Sequence, residues 1–242
     1  MPDQALLTLA GVHTHIGRYH ILHGVDLVVP EGQLTMLLGR NGAGKTTTLR
    51  TIMGMWRASG GGVTFDGTRI DALETPDIAR LGIAYVPETM GIFTRLTVRE
   101  NMLLATGPKG FDAARLDNIF TTFPVLKQKW NDAAGGLSGG QKQMLAISRA
   151  IVEERRLLVV DEPSKGLAPA VIEQLIEAFQ RLKATRTTIL LVEQNFHMAK
   201  SLGDTVAVMD DGRVVYHGVM ADLAADEELQ AHLLGLSLAA HQ

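Results

Sequence analysis

None of the 242 residues is cysteine. Disulfide staples are therefore excluded, and a chain of this length buries enough core to do without them. The absence also fits a reducing compartment. Long apolar runs are missing as well. Uninterrupted strings such as Leu157-Leu158-Val159-Val160 are strand-sized, far below the ~18 residues that cross a bilayer. If the protein works at a membrane, other chains supply the spans. The start, Met1-Pro2-Asp3-Gln4, has neither the basic residues nor the apolar stretch of a secretory signal. An excess of positive charge is lacking too. With 23 Lys+Arg against 26 Asp+Glu the formal net charge is -3, which gives no bulk reason to expect a nucleic-acid partner.

What is present is an ordinary globular balance, 46% hydrophobic and 20% charged, with no internal repeat, low-complexity tract or linker. Strand-like runs at 6–12 and 21–29 are separated by a turn containing histidine and glycine. Leu34-Thr35-Met36-Leu37-Leu38 leads into Gly39 and a glycine-rich loop, after which a helical segment runs to about Met53. Residues 63–65 and 83–86 read as further strands. From roughly 97 to 152 the pattern is helical, with 118–130 undetermined. A strand at 157–160 leads to a helix opening at Pro169, a residue favoured at the first helical position. In that helix Val171, Leu175, Phe179 and Leu182 share one face. Strands at 188–192 and 205–209 flank a short helix. This alternation predicts an α/β fold with a mostly parallel sheet covered on both faces, and a helical insertion into it.

Gly39-Arg40-Asn41-Gly42-Ala43-Gly44-Lys45-Thr46 matches G-x-x-x-x-G-K-[ST] in full. Glycines let the backbone curl so that successive N–H groups point inward at phosphate oxygens, and the helix opening near Gly44 adds its positive end. Lys45 is expected to bridge the β- and γ-phosphates of ATP, and the Thr46 hydroxyl to ligate Mg²⁺, with Thr47 beside it in the site. The plain alternative, a glycine-rich strand-to-helix turn with an incidental lysine, does not account for the whole motif in its strand–loop–helix context.

Leu157-Leu158-Val159-Val160-Asp161-Glu162 is a buried-strand pattern ending in two acids. Ligands of parallel sheets sit beyond the carboxyl ends of the strands, so both acids fall near the phosphates. Asp161 is expected to hold Mg²⁺ and Glu162 to position and polarise the attacking water. Taken alone, such a strand end is more often a loop start with solvated acids. Leu137-Ser138-Gly139-Gly140-Gln141 precedes a helix with Met144, Ile147 and Ile151 on its apolar stripe. Ser138 with Gln141 three residues on is a capping box. The Gly139-Gly140 pair, which a cap does not require, leaves backbone N–H groups uncovered, as an anion site needs. Both readings stand together.

These three elements, in this order and spacing, resemble the nucleotide-binding subunit of ABC transporters over essentially the whole chain. Residues 39–46 look like the Walker A loop, 157–162 like the Walker B strand and 137–141 like the family signature. The resemblance implies a P-loop NTPase core with an N-terminal antiparallel β subdomain and a helical subdomain at about 90–152, all within one domain spanning 1–242. It also implies a head-to-tail pair of ATP-binding subunits, in which Ser138 and Gly140 act in trans on the partner's nucleotide. Ser164-Lys165-Gly166-Leu167 falls where the family's dimer-contacting D-loop lies. The wording of Tyr85-Val86-Pro87-Glu88, of residues 91–93 and 96–101, of Gly166-Leu167-Ala168-Pro169 and of Val192-Glu193-Gln194-Asn195 is most similar to the importers of branched-chain, hydrophobic amino acids.

Three positions depart from the general family pattern. Glu88 stands where a metal-contacting Q-loop glutamine is expected, and Gln194 where a switch histidine is expected; both substitutions are found in the subfamily that this wording resembles. Ile16 occupies the position of the aromatic residue that stacks on adenine, and Tyr19, three residues on, is the substitute candidate. Residues 89–96 are apolar yet interrupted by Gly91 and Arg95. They are either a contact surface, beside which the resemblance places a helix of a membrane subunit, or part of the helical subdomain's own core.

His13, His15, His20 and His23 invite a zinc reading, but no cysteine or nearby carboxylate pattern closes a four-ligand site, and surface histidines on a turn are the simpler account. Trp56 and Trp130 read as packing residues, residues 222–228 as a solvated helix face, and Arg155 and Arg156 as surface charges at the sheet's edge. The expected function is that of an ATPase subunit powering an importer, for branched-chain or related amino acids. It would be cytoplasmic and peripheral on the inner face of the membrane, paired with a second ATP-binding subunit and two integral membrane permease subunits, and served indirectly by an extracytoplasmic substrate-binding protein. The alternative is a soluble, non-transport ATPase of the same family acting as a mechanical module. Those usually carry two cassettes or a coiled-coil insertion, and neither pattern occurs here. A P-loop kinase or GTPase has no use for residues 137–141.

Overall fold

A computed structural model describes residues 4–108 and 110–235. Met1, Pro2 and Asp3, read above for a signal segment, fall outside that range. Two sheets dominate. The first is antiparallel, in the order β2 (Tyr19–Pro30), β1 (Ala5–Ile16), β4 (Ala58–Phe65), β5 (Thr68–Arg69). The second has six strands in the order β10 (Arg213–Val219), β9 (Thr205–Asp210), β3 (Leu34–Gly39), β8 (Thr188–Val192), β7 (Leu157–Asp161), β6 (Ile83–Val86). All neighbours in it pair in parallel except β10, which returns antiparallel to β9 along the edge.

Every residue of β3, β7 and β8 is buried, because the second sheet is covered on both faces. Alternation along β7 divides the core. Leu157 and Val159 pack towards the antiparallel sheet, α1 (Lys45–Ile52) and α2 (Thr75–Arg80). Leu158 and Val160 pack towards α6 (Gly139–Ile151), α7 (Pro169–Ala184) and α8 (Phe196–Leu202). A period-2 strand buried on both sides reads as an unbroken apolar run, which is what the sequence carries.

Between β6 and β7 the chain is helical, with α3 (Val98–Leu103), α4 (Ala113–Thr122), α5 (Pro124–Gln128) and a 3-10 turn preceding α6. The undetermined stretch 118–130 thus spans the end of α4 and all of α5. Trp130 packs among Phe111 and Phe120 with ring centroids at 5.5 and 5.0 Å. Residues 222–228 form no single helix: α9 (Met220–Ala225) ends there and α10 (Glu227–Leu234) begins, with Asp226 capping it through Leu229 N at 2.9 Å. Asp222, Asp226, Glu227 and Glu228 are exposed, as expected. No helix among the described residues is long and apolar enough to cross a membrane.

The opening hairpin is longer than the sequence suggested. Its strands continue to Ile16 and resume at Tyr19, leaving a two-residue turn in which Gly17 takes φ 60°, the requirement of a type II′ connection. The histidines therefore lie on paired strands, His13 opposite His23 and His15 opposite His20. They are not turn residues. Arg156 is also more than an edge charge, since it ion-pairs with Asp66 and Glu31 and fastens the two sheets together.

Candidate functional site

β3 delivers the chain to Gly39, where a Cβ would stand 2.3 Å from the Met209 carbonyl oxygen, so glycine is required for the exit between β3 and β9. Gly44 caps α1 at φ 103° and no side chain caps the helix start, which leaves first-turn amides free to receive an anion. Asn41 and Gly42 are exposed; Ala43 is buried, and its carbonyl accepts from Gly212 N at 3.0 Å in the β9–β10 turn. Lys45 is 4% exposed. Its Nζ donates to the carbonyls of Gly39 and Arg40 at 2.8 and 3.1 Å and lies 3.3 Å from Glu162 Oε1. Thr47 is half-buried in the first turn. A cleft of about 700 Å³ opens beside the loop, lined by residues 38–43 and by Glu193, Gln194 and Phe196 among others.

Asp161 closes β7, wholly buried. It accepts from Thr46 Oγ1 at 3.2 Å and from the Tyr85 hydroxyl at 3.3 Å. Burial pushes its carboxyl above the usual carboxylate range against the pull of the Thr46 bond, and the charges of Glu162 and Glu88 push the same way. Tyr85 is driven up to about 12, first by burial and then by the Asp161 charge. A hydroxyl and nearby carboxylates form an all-oxygen donor set, and no ammonium or guanidinium among the described residues is bonded to Asp161. Both features fit a hard divalent cation such as Mg²⁺.

Glu162, the next residue, is 8% exposed and takes φ 46°, a left-handed conformation unusual for a non-glycine residue. Its Oε1 accepts from Gln194 Nε2 at 2.6 Å, and its Oε2 lies 3.5 Å from Lys165 Nζ. Burial alone would raise this carboxyl. Donation from Gln194 and the charges of Lys45 and Lys165 override burial and hold it below its ordinary value. An acid kept ionised in a nearly closed site is available as a proton acceptor. Gln194 Nε2 donates also to Asn41 Oδ1 at 2.8 Å, so one amide ties the phosphate loop to Glu162. Glu88 lies on the surface, where Lys165 Nζ donates to it at 2.6 Å.

The remaining candidates lie elsewhere. Ile16 and Tyr19 face each other across the hairpin turn. Tyr19 is 61% exposed with the Arg18 guanidinium 5.2 Å from its ring centroid, and neither residue lines the cleft beside the loop. Ser138 and Gln141 form the expected capping box at the start of α6, at 3.0 and 3.3 Å. Ser138 and Gly139 are exposed. Gly140 is buried, and a Cβ there would stand 2.4 Å from Val171 Cγ1, so close packing of α6 on α7 is one reason for that glycine. The four histidines do gather, with the His15 and His20 rings stacked at 4.1 Å and His13 Nδ1 3.1 Å from His20 Nε2. Among the described residues, however, no group of three or more His, Asp or Glu is arranged to hold a metal. Lys165, 3.5 Å from Glu162 Oε2, and Glu193, bonded to Ser164, lie in segments that the resemblance covers, but the sequence alone assigns neither a role at the acids. Glu193 carried a usable signal, since it follows the apolar strand β8 as Glu162 follows β7.

Residues 22–165 match the family profile described as ABC transporter. The chain belongs to the ABC transporter family. It is an ATP-binding cassette, a nucleotide-binding ATPase domain of the P-loop type. The high-affinity branched-chain amino acid transport ATP-binding protein BraG of Pseudomonas aeruginosa is 38% identical over 232 residues, covering 95% of this chain and 100% of that protein. The probable branched-chain amino acid transport ATP-binding protein LivF of Archaeoglobus fulgidus is 36% identical, covering 90% and 93%. Among solved structures, an ATP-binding subunit of an ABC transporter is 31% identical with a TM-score of 0.79, covering 96% of each chain. The ADP conformation of an ABC transporter cassette is 25% identical with a TM-score of 0.82, covering 96% of this cassette and all of that one.

Proposed function

We propose that this cassette hydrolyses ATP to drive an importer of branched-chain or related amino acids, working peripherally on membrane-spanning partners. The observation that carries the catalytic part is Glu162, left-handed and held between Gln194 and Lys45 beside an uncapped helix start. The import part rests on the relatives, whose names are those of branched-chain amino acid transport proteins; they favour transport over a mechanical module.

In this reading residues 1–242 are one ATP-binding domain. The amides of Gly39, Asn41, Gly42, Ala43, Gly44, Lys45, Thr46 and Thr47 cradle the phosphates, and the Lys45 ammonium turns from the loop carbonyls to the β- and γ-phosphate oxygens. Glu162 orients a water and takes its proton as the water oxygen bonds to the γ-phosphorus. The bond from that phosphorus to the β–γ bridging oxygen breaks, giving ADP and inorganic phosphate. Gln194 holds Glu162 to its task and reaches the γ-phosphate side through Asn41. Thr46 and Asp161, with Glu88 nearby, would hold Mg²⁺, whose contribution is to neutralise charge on the β- and γ-oxygens. Tyr19 or Ile16 supports adenine. A second ATP-binding subunit presents its own Ser138, Gly139, Gly140 and Gln141 to the γ-phosphate.

The membrane partner has a candidate seat. A cleft of about 730 Å³ lies between β6 and the helical segment, lined by Met55, Tyr85, Pro87, Met90, Leu104 and Arg149 among others. Met55 and Leu104 are 46% and 60% exposed, an unusual pairing of large apolar side chains facing solvent across one hollow. The test is expression with the two multi-spanning proteins of a branched-chain importer in vesicles. Uptake of labelled leucine that needs ATP and is lost with Lys45→Ala is the expected result. Failure of this cassette to assemble with any such pair would remove the import assignment and leave the ATPase.

A further inference from the structure

One buried carboxylate between the loops of Glu162 and Gln194 has no task in the chemistry above. Glu193 is 1% exposed. Its Oε1 accepts from Ser164 N at 2.9 Å. Its Oε2 accepts from Ser164 Oγ at 2.8 Å, from Gln194 N at 3.1 Å and from Asn195 N at 3.2 Å. Burying a carboxylate away from water is costly unless its lone pairs are met by donors, and here four donors meet them. Two of these come from the segment just after Glu162, and two from the loop that bears Gln194.

The neighbours of Glu193 complete the arrangement. Val192 O accepts from Glu162 N at 2.9 Å, and Gln194 Nε2 donates to the Glu162 side chain. Three consecutive residues thus grip one short segment: Val192 at the Glu162 backbone, Glu193 at Ser164 and Gln194 at the Glu162 carboxylate. Glu162 itself sits at φ 46°, a conformation that persists only where the surroundings over-determine it. A bond at Ser164, two residues downstream, is well placed to hold that turn.

We propose that Glu193 is a positioning residue for hydrolysis: it locks residues 162–164 against the Gln194 loop and so fixes the Glu162 carboxylate against Gln194 Nε2. The proposal rests on the ATPase reading of the site. Glutamine at position 193 keeps the volume but turns an NH₂ group towards donors, so the four bonds cannot all survive.

The experiment compares Glu193→Gln, Gln194→Ala, their double variant and Glu162→Gln in the full chain, measuring ATPase kcat and KM together with ADP affinity. Glu193→Gln is expected to lower kcat by about 10- to 100-fold, the cost of a small misplacement, with KM and ADP Kd unchanged. The double variant should be no slower than the worse single one, because both changes act through the Glu162 carboxylate. Wild-type kcat, a loss of ADP affinity in step with kcat, or multiplicative losses in the double variant would each overturn the proposal. Should Glu193→Gln fail to fold, Ser164→Ala removes one donor from the other side and is judged by the same outcomes. Rapid turnover in Glu162→Gln would instead overturn the ATPase reading, so the two failures are distinguishable.

Discussion

Gln194 Nε2 stands 2.6 Å from Glu162 Oε1 and 2.8 Å from Asn41 Oδ1. An amide thus takes the place where resemblance to the family expects a histidine. It has two N–H donors and spends them on the acid and on the phosphate loop, but it carries no titratable proton. The contact with Glu162 is then an orienting one and its strength does not depend on the protonation of residue 194.

Glu162→Gln is expected to bind ATP as the parent does while hydrolysis slows by about 10²–10⁴-fold, the usual span of a lost general base. The Lys45 bonds to the Gly39 and Arg40 carbonyls and the Thr46 bond to Asp161, which preorganise the nucleotide-free loop, do not involve the Glu162 side chain. An ATP-loaded dimer should accumulate. Equilibrium ATP binding beside single-turnover hydrolysis tests this, and near-normal turnover would remove Glu162 from its role.

Gln194→Ala should lower turnover more than affinity, by about tenfold or more, and should change the pH profile. In the parent, donation from Gln194 and the charges of Lys45 and Lys165 outweigh burial and keep Glu162 below the ordinary carboxylate range. The base works when deprotonated, so activity falls as pH drops through its pKa. Without the Gln194 donor that pKa rises, and the acidic limb of kcat against pH moves to higher pH. Loss of affinity alone, with an unmoved limb, would make Gln194 a ground-state contact.

The parts of the site that lie along one strand and its following loop were legible in the sequence. Gly39 to Thr46 and Leu157 to Glu162 are local patterns, and the parallel-sheet rule puts both at carboxyl strand ends. The capping box at Ser138 and Gln141 was legible for the same reason. What depends on tertiary packing was not. The Glu162–Gln194 contact spans residues 32 apart and joins neighbouring strands β7 and β8. The clash that fixes Gly140 comes from Val171 on another helix. The histidines read as turn residues in the sequence, whereas the strand ladder pairs His13 with His23 and His15 with His20, the rings of the latter pair stacking at 4.1 Å.

Asp161→Asn should stabilise the nucleotide-free protein and weaken Mg²⁺-dependent ATP binding. Burial holds the Asp161 carboxyl above its ordinary value, so the folded state binds its proton more readily than the unfolded state. Stability from this group therefore rises as pH falls through the raised folded pKa and levels off below the unfolded one. Removing the charge should raise the thermal midpoint by ~2–4 °C for each ~1 kcal/mol gained. A lower midpoint across neutral pH would show that the Thr46 and Tyr85 bonds outweigh desolvation.

Tyr19→Ala and Ile16→Asp separate the two candidates for the adenine. They are cross-strand neighbours at the hairpin turn, with Tyr19 the more exposed. If the Tyr19 ring stacks on the base, Tyr19→Ala weakens ATP and ADP alike by about 1–3 kcal/mol, the range for base–aromatic stacking. If Ile16 supplies the surface, the same change does little and Ile16→Asp does much. Isothermal titration with ADP decides, and tolerance at both positions would hand the ring to another loop or to a partner chain.

The docking reading can be tested most cleanly at Leu104. Met90 and Ile92 are half-buried and pack against the core, so a charge at either position would disturb folding and docking together. Leu104 lies just beyond α3, is 60% exposed, and lines the same cleft as Met90 and Pro87. A carboxylate there faces water in the isolated cassette and costs little, as surface changes usually do. Buried under a partner helix it would be desolvated in the cleft that Met55 also lines, which is costly. Leu104→Asp is therefore expected to leave the thermal midpoint and ATP affinity of the isolated cassette unchanged. The same variant should abolish assembly with the membrane chains and any transport-coupled stimulation of its ATPase, measured by co-purification and by turnover in vesicles. Normal assembly would put the docking surface away from this cleft. A fall in the isolated cassette's midpoint would make Leu104 part of the helical segment's own packing.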